Sequence, residues 1–176
     1  MKSYLPLGLA LVAALLDGAP AAFSKNADFV LPSGVRIEIV EAPFKKDAFK
    51  VSGCNADSKG CLINGRIPFG NAEDLPKTYV KSIRATYQGR THSLDASDMY
   101  DAWGDRPLEE KGVVRYFGGK CFSPGHCQFR GLFSDAGGAF VAEWQIVNGV
   151  SFRTVLTDSG DIVSLFISEI DPPEYE

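Results

Sequence analysis

The chain predicts an α+β fold: an antiparallel, meander-rich β-sheet with two short helices and two local disulfides. Three observations predict it. Short runs of alternating apolar and polar residues recur between turns rich in Gly, Pro and Asn, the period-2 pattern of half-buried strands. Two segments, 95–104 and 159–170, carry instead a helix start, an apolar face and a stop. Four cysteines fall into two close pairs, Cys54 with Cys61 and Cys121 with Cys127.

Residues 1–24 read as a secretory signal peptide. Met1-Lys2 is a short basic start, and the apolar run from Leu5 to Leu16 has signal length but is too short to cross a bilayer. Small residues allow cleavage after Ala21 or after Ser24. Cys54 lies far from that region, which argues against a lipid anchor on a terminal cysteine. In an exported chain four cysteines are expected as two disulfides, and closeness in sequence favours Cys54–Cys61 and Cys121–Cys127. Zinc would need closer cysteine spacing or more histidines than the two present.

Residues 25–176 are then expected to form a single globular β-rich domain, of a size that supports a real core. No later stretch reaches 18 apolar residues, so no membrane span is expected once the signal is removed. A net charge of −4 argues against nucleic acid and anionic membrane surfaces as partners.

The elements follow in order. Asp28 to Val40 reads as a hairpin turning at Pro32-Ser-Gly34, with Val35, Ile37 and Ile39 alternating with Arg36 and Glu38. Residues 42–76 read as irregular chain with short strands such as 61–67. Tyr79 to Leu94 reads as a hairpin with its turn at Gln88-Gly89, which pairs Ala85 with His92 and Ile83 with Leu94 on the apolar face. Asp95 to Gly104 is expected to be a helix, capped by Asp95, with Met99, Ala102 and Trp103 turned inward. Its acids lack the order of a calcium loop, and capping accounts for Asp95 and Asp98 without a metal.

Val113 to Phe117 reads as a short strand ending at Gly118-Gly119, and a three-stranded meander over 128–134, 139–147 and 150–157 follows the Cys121–Cys127 loop. Its last turn, Asn148-Gly149, is the strongest hairpin signal in the chain. That hairpin is apolar on both sides: Val141, Val147, Val150, Phe152 and Leu156 on one, Phe140, Ala142, Trp144, Ile146 and Val155 on the other. A sheet apolar on both faces must be covered on both. The expected cover is a helix over 159–170, started by Asp158 and Asp161 and stopped by Pro172-Pro173. Its inner stripe is Ile162, Leu165, Phe166 and Ile170, although its β-branched content leaves a strand reading open.

Catalytic motifs are absent from the sequence: it has no G-x-S-x-G elbow, no P-loop, no G-x-G-x-x-G and no H-E-x-x-H. No cofactor or metal is implied. The stretch that stands out is Cys121-Phe-Ser-Pro-Gly-His-Cys127. A disulfide closing five residues around Pro124-Gly125 would hold Phe122 and His126 in few conformations, which lowers the ordering cost of binding. Phe122, Pro124 and His126 are therefore the candidate binding residues.

A histidine inside a short Cys-to-Cys loop ahead of strands resembles the inhibitory loop of the Ivy-type bacterial lysozyme inhibitors. The likeness is carried by Cys121, Pro124, His126 and Cys127. The resemblance implies a histidine that enters an enzyme's active site. The loop is one residue longer than in that family, His126 abuts the second cysteine, and the remainder of the chain does not match. The segments 94–100 and 156–163, with the Asp-Pro-Pro end, resemble those of uncharacterised exported bacterial proteins.

The expected function is an exported, non-catalytic binding protein of the bacterial periplasm, an inhibitor or immunity-type protein against a toxin or cell-wall enzyme. A small secreted hydrolase using His92 and His126, or a carboxylate pair, is the alternative from another class. A structural envelope protein is the third.

Overall fold

The computed structural model describes residues 25–54, 60–70, 75–103, 116–134 and 138–172. The signal-peptide reading of residues 1–24 falls outside them. Of the described residues 54% are in strands and 11% are helical, with one α-helix, so the fold is mostly β rather than α+β.

The strands are β1 (Lys25–Val30), β2 (Arg36–Pro43), β3 (Val51–Ser52), β4 (Leu62–Ile63), β5 (Thr78–Tyr87) and β6 (Arg90–Leu94). They continue with β7 (Phe117–Ser123), β8 (His126–Phe133), β9 (Phe140–Val147) and β10 (Val150–Thr157), and α1 (Gly160–Ser168) follows. Two four-stranded antiparallel sheets result, ordered β1-β2-β5-β6 and β10-β9-β8-β7, beside a small β3-β4 pair. Ile37, Ile39, Ile83 and Leu94 from the first sheet share one core with Phe129, Phe133, Phe140, Trp144 and Ile146 from the second. The inward rows of two sheets thus seal each other, as in a sandwich.

The β5–β6 register matches the expectation pair by pair: Ile83 opposite Leu94, Arg84 opposite Ser93, Ala85 opposite His92 and Thr86 opposite Thr91. Gln88 and Gly89 both adopt positive φ, as do Asn148 and Gly149, which is the backbone that a two-residue turn between right-twisted strands requires.

The helix expected over 95–104 does not form where that segment is described. Asp98 and Asp101 have φ of 65° and 40°, a left-handed conformation that aspartate tolerates but a helix cannot contain. The backbone is drawn into pairing instead. Phe69 N–H donates to the Asp98 carbonyl at 2.9 Å, Val80 N–H to the Met99 carbonyl at 2.9 Å, and Tyr100 N–H to the Phe69 carbonyl at 2.8 Å. Met99 and Ala102 are buried as expected, but on an extended crossing rather than one face of a helix.

The second sheet gains a strand. Most of the strand expected over 113–117 lies outside the described residues; β7 starts at Phe117 and runs through Gly118-Gly119 into the Cys121–Cys127 bracket, so the meander has four strands. A Cβ on Gly118 would lie 2.6 Å from the Ile170 carbonyl oxygen, so only glycine lets the chain's end pass this closely. At Gly119 the free strand edge is closed: its N–H donates to Asp171 Oδ1 at 3.0 Å and its carbonyl accepts from Ser33 Oγ at 2.6 Å.

A bulge at Thr154 alters the last hairpin. Arg153 opposes Trp144, but Val155 opposes Glu143, so one residue has been inserted. Leu156 therefore packs into the main core and Val155 joins Val141 on the outer face, the reverse of the alternation expected from the turn. α1 covers this outer face with Val163 and Phe166. Ile162 and Leu165, expected inside, are instead substantially exposed. Arg130 secures the helix: it pairs with Glu143 at 2.7 Å, donates to the Glu169 carbonyl at 3.2 Å, and lies 4.6 Å from the centre of the Phe166 ring.

Candidate functional site

The Cys121–Cys127 stretch is not a loop entering a strand; it is the end of the β7–β8 hairpin. The two cysteines oppose each other and are disulfide-bonded, with Cα atoms 3.9 Å apart. Ser123 opposes His126, leaving Pro124-Gly125 as a two-residue turn. Phe122 has no partner, because the register shifts between Cys121 and Ser123. A bulge redirects the side chain of its extra residue, and Phe122 stands 54% exposed.

Its surroundings are organised. The His126 ring meets the Phe122 ring edge to face, with centroids 5.7 Å apart, and Lys120 Nζ lies 5.1 Å from the Phe122 centroid. Two contacts from outside the hairpin hold the turn. Gly149 N–H, from the β9–β10 turn, donates to the Gly125 carbonyl at 3.0 Å. His92 Nε2, from the other sheet, lies 2.7 Å from the Pro124 carbonyl oxygen. Arg90 Nη1 lies 3.8 Å from where a Gly125 Cβ would be.

The outer face continues the surface. Cys127 opposes Ile146, which places His126 and Val147 at the same end of the sheet. Val147, Val150 and Phe152 are exposed there, beyond the region where α1 covers the sheet. The sequence places these three on one apolar side, but nothing in it shows that the helix leaves them uncovered.

Pro124 supplies the turn and the carbonyl for His92, while His126 is exposed beside Phe122. The second disulfide, Cys54–Cys61, also forms, and no cysteine is free. Both bonds are compatible with an oxidising, exported location. Among the described residues no helix is long and apolar enough to cross a membrane, and no three His, Cys, Asp or Glu side chains cluster to hold a metal.

The two histidines reach the same hairpin but do different work. A carbonyl oxygen can only accept, so His92 Nε2 carries its proton and acts as a structural donor. His126 contacts an aromatic ring. A carboxylate pair at a cleft, Asp95 and Asp98, shares the Arg153 guanidinium at 3.3 and 3.9 Å. Burial pushes the Asp95 carboxyl up, but the Ser97 hydroxyl and N–H together with Arg153 and Arg66 outweigh it and hold the group below the usual range. Such a carboxylate is poorly suited to donate a proton as a general acid.

The chain matches no protein-family model, no curated protein and no solved structure.

Proposed function

We propose that this chain is an exported, non-catalytic binding protein of the bacterial periplasm, acting as an inhibitor or immunity-type protein on a toxin or cell-wall enzyme. The observation that carries the reading is Phe122, raised on a bulge at a disulfide-bonded hairpin end and left largely open to solvent. An exposed aromatic on a fixed support loses little conformational freedom on docking, and such anchors dominate binding energy at interfaces. Val147, Val150 and Phe152 extend the apolar contact, and Lys120, Arg90 and His126 give its rim basic groups. The fitting partner has an apolar hollow rimmed by carboxylates, as a polysaccharide-cleaving enzyme has.

The test compares wild type with Phe122→Ala and His126→Ala, each immobilised and exposed to periplasmic extract, followed by titration of whatever is retained. Phe122→Ala is expected to weaken the captured complex at least about tenfold, roughly 1.4 kcal/mol. Melting temperatures should stay within about 2 °C of wild type, because neither side chain is part of the core. Equal capture by all three proteins would remove this surface from consideration.

A further inference from the structure

A concave surface lies on the other sheet. β5, β6, the 95–100 crossing, Phe49 and Asn64 line a cleft of about 560 Å³, a volume typical of small-molecule sites. Ser82 and Ser93 line it and alternate with the buried Ile83 and Leu94, so this is the outer face of the sheet. Its aromatic wall is Phe49 and Tyr79, whose rings meet edge to face at 5.2 Å. Phe44 stacks on Phe49 at 4.5 Å, and both Phe44 and Phe49 touch Tyr100, so the wall is braced from several sides.

The rim is polar, and its acids are compensated. Asp98 pairs with Arg66 at 3.0 Å, and Arg153 lies 3.3 Å from Asp95 and 3.9 Å from Asp98. Ser97 donates its N–H and its hydroxyl to Asp95 Oδ1 at 2.9 and 2.6 Å. Asn64, Lys81, Ser93 and Ser97 complete the polar lining, with Asn64 Oδ1 already accepting from Lys50 N–H at 3.0 Å.

We infer that this cleft binds a neutral oligosaccharide, with one pyranose ring against Phe49 and Tyr79 and its hydroxyls hydrogen-bonded along the Asn64, Ser93 and Ser97 rim. A pyranose has an apolar C–H face and a polar hydroxyl edge, and the cleft presents surfaces suited to both. A wholly apolar ligand would strip water from serines and carboxylates without replacing it. A cation would meet acids that already have guanidinium partners.

The test is a titration of the ¹⁵N-labelled mature chain with chitotetraose and maltotetraose, and with tetragalacturonate as the acidic counterpart. Amide shifts at Asn64, Ser82, Ser93 and Ser97 are expected to move and saturate with at least one neutral tetrasaccharide. Phe49→Leu keeps an apolar side chain and removes the ring, and Ser93→Tyr fills the cleft from an exposed position. Each is expected to weaken binding about tenfold or more while leaving the remaining spectrum folded. Absence of any shift with both neutral sugars up to about 10 mM, weaker than a useful specific site, overturns the inference. So does a preference for tetragalacturonate, or binding that neither variant weakens. Phe122→Ala leaves this titration unchanged, so the two surfaces can fail separately.

Discussion

His92 Nε2 lies 2.7 Å from the carbonyl oxygen of Pro124, so an imidazole on one sheet fastens the turn of a hairpin on the other. The acceptor fixes the tautomer. Neutral His92 is expected as the Nε2–H form, and long-range proton–nitrogen spectra at pH 8 will show Nδ1 without a proton. Replacing His92 by Phe keeps a ring but removes the donor, leaving the Pro124 carbonyl to find water. A net loss of about 1 kcal/mol is expected, seen as roughly fivefold faster amide exchange around Gly125 and His126. Unchanged exchange would mean that the Gly149 contact holds the turn alone.

The Cys121–Cys127 bond closes a short ring, so its effect on the unfolded chain is limited. Changing both cysteines to Ala is expected to cost about 2 kcal/mol in urea unfolding. Backbone pairing between β7 and β8 on the Phe117 side of the bond should keep the register, while the turn end and Phe122 lose their fixed geometry. Partner binding should therefore fall more than that of a surface variant with equal stability loss.

Arg130 is buried against the outer face, where Glu143 accepts from its Nε at 2.7 Å and the end of α1 accepts from its Nη1 at 3.2 Å. Arg130→Met is expected to cost about 3–5 kcal/mol, because it leaves a shielded Glu143 carboxylate without its cation. Adding Glu143→Gln should recover part of that loss, and a double-mutant cycle measures the coupling. Additive losses would show that Arg130 acts through its packing on Phe166 rather than through the ion pair.

Hairpins were legible because they are local. Gln88-Gly89 and Asn148-Gly149 fix the turns, and counting outward from the first gives the register of β6, His92 included. Both cysteine pairings follow from the same closeness. What escaped depends on distant partners. Asp95 to Ala102 has a helix's caps and apolar residues, yet Phe69 and Val80 claim its backbone as extended chain. The bulges at Phe122 and Thr154 leave no mark that alternation can show, and each changes which way side chains face. For the candidate site, Phe122, Pro124 and His126 could be named from the Cys-to-Cys bracket. The supports from His92 and Gly149 could not, because they come from other hairpins.

Asp95 offers an acid-side test tied to the core. Its carbonyl accepts from Trp144 Nε1 at 2.8 Å, so the conformation at residue 95 is coupled to a fully buried indole. Burial raises the Asp95 carboxyl, but the Ser97 donors and Arg153 outweigh it and hold the folded-state value below the usual 3.8. A depressed folded value means that the unfolded chain takes up its proton first as pH falls. The stabilisation is therefore present above about pH 4 and fades as pH drops through the folded value. The side chain is 49% exposed, so water screens it and the expected contribution is below about 1 kcal/mol. Asp95→Asn keeps the shape and an acceptor for Ser97 while removing the charge. Urea unfolding followed by tryptophan fluorescence should show the variant less stable than wild type at pH 7, with the gap narrowing as pH falls below about 4. A difference that stays constant as pH falls would assign the role of Asp95 to its hydrogen bonds rather than to its charge.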